Sequence, residues 1–140
     1  MGGWTGDLLT AVAQRLDDAG IGTWDPDGTT GSIVHGALPD EIDNGIGLTA
    51  YNLTNRRTSL SGEVTQPIQF FLRGTLAQVE QAADDLYAAF NGLRDTTLGS
   101  TRLTLIELHS DVPMGIDQRG RIERAVNYDF WATRTTAQTP

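Results

Sequence analysis

The side chains able to do chemistry fall into small groups, and each group can be held against the spacing its chemistry requires. Asp25-Pro26-Asp27-Gly28 begins like a calcium loop, which needs a glycine at its sixth place and a glutamate at its twelfth. Here Gly28 comes two residues early and Gly36 stands at the twelfth place, so the stretch reads as a turn. Gly45-Ile46-Gly47-Leu48-Thr49-Ala50 spells a dinucleotide fingerprint, but that motif sits between a strand and a helix. These glycines lie inside an alternating, strand-like run, and the reading is rejected. His109, Ser110 and Asp111 are adjacent in sequence, whereas a catalytic triad is assembled in space. His35 and His109 fall on separate strands, too few for a metal cluster, and read as half-buried strand-end residues. The pairs Asp17-Asp18 and Asp84-Asp85 are neighbours on helices and do not face each other, so they read as solvated helix faces. The expectation is no catalytic, cofactor or metal site and no cofactor requirement.

Two kinds of charged segment remain as contact candidates. Arg56 and Arg57 lie on a polar stretch, 54–61. Asp40, Glu41 and Asp43 lie on an acidic loop, 39–44. A basic pair and an acidic cluster on separate loops suit a contact between subunits. Asp117, Arg119 and Arg121 sit in a charged connection, 110–121, which reads as a long loop able to meet a partner.

Composition narrows the function classes. The 140 residues carry 18 acidic and 10 basic side chains, for a formal charge of −8. That balance disfavours binding nucleic acid by phosphate neutralisation. There is no cysteine, which removes disulfide scaffolds, zinc fingers, iron–sulfur sites and thiol nucleophiles. Every basic residue is arginine, which removes lysine Schiff bases and the Walker lysine. No run approaches the ~18 apolar residues of a membrane span, and the N-terminal MGGWTGDLL lacks the basic region of a signal peptide.

The elements that must hold these groups follow from periodicity. Leu8, Leu9, Val12, Leu16 and Ala19 recur at helical steps over 7–19, with Thr5 or Asp7 as cap and Gly20 as stop. Residues 76–91 form a second helix, with Leu76, Val79, Ala83, Leu86 and Phe90 in its stripe, joined by Ala82 and Tyr87. Thr75 serves as its cap and Gly92 as its stop. Alternation predicts strands over 32–37, 46–51, 64–73, 101–109 and 122–133. Pro67, which has no N–H to donate, places its strand at an edge or bulge. Leu103, Leu105, Val126, Tyr128 and Phe130 join the helical stripes in the expected core. The result is an α+β domain over 1–134: a mostly antiparallel sheet with two helices packed on one face. Residues 135–140 read as a disordered tail.

Several blocks resemble the tail terminator proteins of long, non-contractile-tailed bacteriophages, also labelled minor capsid or tail-completion proteins. They are Leu8-Leu9 through Leu16 with Gly22-Thr23-Trp24; Ala37-Leu38-Pro39-Asp40 with Ile46 to Tyr51; Gln69 to Gly74; Asp85 to Leu93; and Pro113 to Asp117 with Gly120-Arg121 and Asn127-Tyr128. They run in order over most of the chain. The resemblance implies a virion protein of the tail or neck, assembled in the host cytoplasm. It implies a homohexameric ring that caps the head-proximal end of the tail tube, ends tube polymerisation and meets the head connector or adaptor proteins. DNA would pass through the channel without specific binding, no membrane is involved, and no enzymatic residues come with the family. A head-completion or connector protein of the neck is the alternative in the same class. A small hydrolase built on carboxylates is the alternative from another.

Overall fold

The computed structural model describes residues 3–27, 31–55 and 62–134. The element order is α1 (Trp4–Asp18), β1 (Ile33–His35), β2 (Gly45–Ala50), β3 (Thr54–Asn55), β4 (Glu63–Gly74), α2 (Leu76–Phe90), β5 (Arg94–Leu98), β6 (Thr101–Ile116) and β7 (Ile122–Thr133). The strands form one sheet in the order β1-β2-β4-β7-β6-β5, with β3 added to β4 beside β2. The sheet is mixed and not wholly antiparallel, because β1 runs parallel to β2. A parallel pair needs a crossover, and residues 36–44 supply it as a loop that returns from His35 to Gly45.

Both helices cover one face. Leu8, Val12 and Leu16 of α1 and Val79, Leu86 and Phe90 of α2 share a single apolar cluster with Ile46, Leu48, Ile68, Phe70, Leu72, Val126, Tyr128 and Phe130. Cross-strand pairing puts those sheet residues on one side: Leu48 faces Phe70, which faces Val126, and Ile68 faces Tyr128. Phe90 is the hub. Its ring lies 5.5 Å from Phe70, 6.0 Å from Phe130 and 6.4 Å from Tyr128, in the tilted arrangements aromatic quadrupoles favour. Arg15 of α1 donates to the Ala89 carbonyl at 2.9 and 3.1 Å and lies over the Phe90 ring. One guanidinium therefore ties the two helices together.

The helix ends differ in chemistry. Thr75, expected as the cap of α2, makes a reciprocal capping box with Gln78. α1 begins earlier than expected, at Trp4, with Gly3 at the cap position and no side-chain cap bond. Trp4 is instead held from outside, under the Arg134 guanidinium at 4.8 Å. Leu76 and Tyr87, assigned to the apolar stripe, are 57% and 53% exposed.

Three strand features depart from simple alternation. β4 is interior, yet tolerates Pro67. The Pro67 carbonyl accepts from the Tyr51 N–H, so its nitrogen faces the same side, where β2 has ended at Ala50 and β3 has not begun. The Gln66 amide fills that gap, donating to Tyr51 O and Pro67 O. In β6 a register shift between Leu103 and Leu105 turns Leu105 away from the main cluster. It is buried on the opposite face, opposite Trp131, while Ile106 takes its place in the core. Residues 110–116, expected as loop, are strand: β6 runs to Ile116 and pairs with β7 to the tip. β5 escaped the alternation test because Arg94-Asp95-Thr96-Thr97-Leu98 buries only its last residue.

Candidate functional site

The face without helices carries the acidic loop singled out from sequence. The crossover loop 36–44 folds onto it, and Gly47 in β2 admits the loop: a Cβ there would stand 2.5 Å from the Gly36 carbonyl oxygen. Gly45 is equally crowded, by Ile42 and the Ser32 carbonyl. The two glycines of the apparent dinucleotide motif thus serve close backbone packing. Leu38 is buried under the loop.

The acidic part of this loop is bound by arginines of its own chain. Arg121, only 8% exposed, donates from Nη1 to Asp40 O at 2.7 Å and Asp43 Oδ1 at 3.1 Å, and from Nη2 to Asp40 Oδ1 at 2.9 Å. Its Nε donates to Asp117 Oδ2 at 2.8 Å. Arg119 pairs with the other oxygen of Asp40 at 3.0 Å. Arg73 donates to Pro39 O and Ile42 O while pairing with Glu123 at 3.0 Å. The planar guanidinium suits this work, since its donors diverge at fixed angles. The site therefore sets three arginines against Asp40, Asp43, Asp117 and Glu123, a net charge of one negative.

Asp117 also shapes the turn. Its Oδ1 accepts from the N–H groups of Arg119 and Arg121, and its own N–H donates to Arg121 O. Burial pushes its carboxyl upward, but the bonds from the Arg121 backbone and side chain and from Arg119 outweigh that, and its pKa lies below the ordinary value. The hydrogen bond to Asp117 raises Arg121 above its ordinary value; burial opposes this and Asp40 and Asp43 reinforce it. Both groups stay charged at neutral pH.

The site residues read from sequence are thus partly assembled. Asp40, Asp43, Asp117, Arg119 and Arg121 meet in one clasp between the crossover loop and the β6–β7 tip. Glu41 is exposed and enters no ion pair among the described residues. Arg56 and Arg57 lie outside the described residues, as does the tail 135–140. Asn55, just before Arg56, pairs with Val64 near the start of β4, whereas the clasp lies at the far end, where Gly74 faces Ile122. Arg73 and Glu123 were missed; alternation marked them only as the outward side of strands.

The other polar groups have local roles. Asp25 Oδ1 accepts from the Asp27 N–H, a turn contact. His109 is 62% exposed and not half-buried, and bonds Asp129 at 3.2 Å. Its neighbours diverge: Ser110 Oγ accepts from Asn127, which in turn accepts from Tyr51, and Asp111 takes a two-pronged bond from Arg124. The register shift between Leu108 and Ser110 breaks the alternation here, and the three side chains bond three different residues and not one another. His35, also exposed, stacks on Trp24 at 4.9 Å. Asp17, on the supposedly solvated face of α1, accepts from the Trp24 N–H.

Beyond the clasp, the edge of the β6 arm is apolar. Val112, Met114 and Ile116 are 45%, 55% and 67% exposed. β5 pairs with β6 only as far as Leu105, and Asn91 Oδ1 takes the Leu108 N–H. Past that point no described strand covers the outer edge.

Comparison with known proteins places this architecture. A virion structure of a native gene transfer agent particle contains a chain that superposes with a TM-score of 0.68 at 13% identity, covering 95% of this chain and 99% of that one. That likeness concerns the fold. A protein of Akkermansia muciniphila, solved without its transmembrane region, superposes at a TM-score of only 0.33 with 8% identity, covering 63% of this chain and 46% of that one, which carries no argument. No curated protein matches the sequence. The profile of one family, described as bacteriophage tail terminator protein, matches residues 15–134, a span that takes in the end of α1, all of α2, every described strand and the clasp, and on that match the chain belongs to the bacteriophage tail terminator family, structural proteins of the phage virion.

Proposed function

We propose that this chain forms a homohexameric ring on the head-proximal end of the tail tube, where it ends tube polymerisation and offers a joining surface to the head connector or adaptor proteins. The observation that carries the reading is the family match across residues 15–134. The chain acts by assembly, without a catalytic step. A ring of identical subunits joined head to tail needs two different complementary patches on each subunit. Arg56 and Arg57 follow β3 at one end of β4, and the acidic loop 39–44 is bound at the other. The twelve residues of β4 span ~40 Å at strand rise. In this reading Arg56 and Arg57 of one subunit pair with Asp40, Glu41 and Asp43 of the next. The hairpin tip with Asp117, Arg119 and Arg121 holds that loop in shape and is itself open to the tube or connector.

Six copies carry a formal charge of about −48. Negative charge lining the channel repels the phosphate backbone, so DNA passes without sticking. The test is electron microscopy of the purified protein with tail tubes from a phage lacking it. Six-fold rings at tube ends, and tubes of regulated length once the protein is restored, are the expected result. Rings that bind filled heads and ignore tubes would assign the chain to head completion instead.

A further inference from the structure

We propose that the groove between α2 and the β6–β7 hairpin binds an extended segment of another virion protein, seating an arginine or lysine side chain of that partner between Glu80 and Asp84 and its neighbouring backbone against Tyr128. This rests on the reading above in needing a partner within the virion, and it names the chemistry that partner must bring.

The groove is built where α2 leaves part of the sheet uncovered. Glu80, Asp84 and Tyr87 of α2 form one wall, Leu108 and Asp111 of β6 the other, and Tyr128 of β7 lies in the floor; the space measures about 370 Å³. Glu80, Asp84 and Tyr87 follow one line along the helix, since residues three and four apart share a face. In the ladder Leu108 stands opposite Tyr128 and Asp111 opposite Val126.

Charge fixes the sign of the occupant. Asp111 is taken by a two-pronged bond from Arg124. Glu80 and Asp84 act on Arg124 only through their field, which adds to the Asp111 bond in raising its pKa against the effect of burial. Neither makes a hydrogen bond or ion pair among the described residues. Three carboxylates against one guanidinium leave the groove with two negative charges, and like charges four apart on a helix destabilise it. A cation placed between them removes that cost. Among the described residues no three acidic or histidine side chains converge as a metal site, so a long side chain is the cation suited to reach both.

Tyr128 adds an independent requirement. Its side chain is 1% exposed, it lines the groove, and its hydroxyl makes no hydrogen bond among the described residues. A buried phenol ordinarily has a partner. Burial raises its pKa, and Asp111 and Tyr87 raise it further, so at neutral pH it is an O–H in need of an acceptor. A metal ion or a polyamine has none to offer. A peptide brings a cationic side chain and a backbone carbonyl beside it. Tyr87 and Leu108, exposed on the two walls, give the stem of that side chain and its apolar neighbours a surface to pack on.

This chain does not supply the segment. Arg15, Arg73, Arg119, Arg121 and Arg124 are bonded within their own subunit, and Arg134 lies over Trp4. Arg94 precedes Asp95, Arg102 sits inside the β5–β6 ladder opposite Thr97, and the ring reading gives Arg56 and Arg57 to the acidic loop. A different protein is therefore the occupant.

The chain has no cysteine, so Tyr87→Cys can carry a thiol-linked benzophenone on the groove wall. Virions completed with this variant are irradiated and the crosslinked peptide is sequenced. The expected product is a segment of a different virion protein with Arg or Lys beside an apolar residue. A crosslink to a second copy of this chain, to a segment without a basic residue, or to nothing overturns the inference. In parallel, Glu80→Gln with Asp84→Asn, and separately Tyr128→Phe, are each expected to lower the yield of complete virions at least about tenfold with unchanged thermal stability and self-assembly of the subunit. A wild-type yield from either variant also overturns it. Ring formation is scored apart, by electron microscopy. If no six-fold ring forms, the ring reading falls, while the crosslinked segment still decides what the groove binds.

Discussion

Arg121 brings a full charge into a site lined by the oxygens of Asp40, Ile42, Asp43 and Asp117. Breaking a buried pair by removing one partner costs more than the pair itself contributes, because the other charges are left uncompensated. The pH dependence of the clasp follows from Asp117. Its folded pKa lies below the ordinary value, while the unfolded chain titrates near ~3.9. Its contribution is therefore fully present above that value and lost as pH falls through the lower folded one. We expect the amide signals of Arg119 and Arg121, both bonded to Asp117 Oδ1, to hold steady from neutrality down to about pH 4 and to shift only below it. Asp117→Asn should abolish that step. A transition between pH 5 and 6 would show that another group governs the tip. Sequence spacing put Asp117 and Arg121 on one connection, but did not show the bond from Arg121 to Asp40, because contacts so far apart along the chain leave no trace in local periodicity.

At the scale of elements, local chemistry was legible wherever one element decided its own fate. The Thr75 cap, the stops at Gly20 and Gly92, both with positive φ, and the alternation of β4 and β7 could all be read from neighbours along the chain. What could not be read depended on other elements. The β6 arm remains strand because β7 pairs with it, despite Pro113, Gly115 and few buried side chains. β1 runs parallel to β2 because Gly45 and Gly47 let the crossover loop lie close. That dependence is testable. Gly47→Ala should displace the 36–44 loop, since its Cβ meets a backbone oxygen at 2.5 Å that has no side-chain freedom with which to yield. Hydrogen exchange should rise at residues 36–44 and at Arg121 while both helices stay protected; unchanged exchange would place the loop elsewhere. The helix layer has its own test. Phe90→Ala removes the ring shared by Phe70, Tyr128 and Phe130 and should cost ~3–5 kcal/mol in denaturant unfolding. A loss below ~0.5 kcal/mol, the level of a neutral surface change, would mean α2 does not pack as described.

At the scale of the whole molecule, the clasp changes which carboxylate can reach a neighbour. Asp40 and Asp43 are held by Arg119 and Arg121 of their own chain, so reversing their charge disrupts the loop as well as any contact. Glu41 stands between them, exposed and outside the described ion pairs. In the proposed ring it is the carboxylate of this loop left to pair with Arg56 and Arg57 of the next subunit, and its substitution should test that pairing with the clasp intact. Arg56→Glu with Arg57→Glu should slow ring formation, since paired charges steer encounter more than they add final affinity. Adding Glu41→Arg to the same chain should restore part of the lost rate, because every contact in a head-to-tail ring then carries the swapped pair. The wild-type rate should fall as salt rises, over a screening length of roughly 8 Å at physiological strength, which time-resolved light scattering at two salt concentrations would read. If the double arginine variant assembles at the wild-type rate in low salt, the charge pairing is wrong.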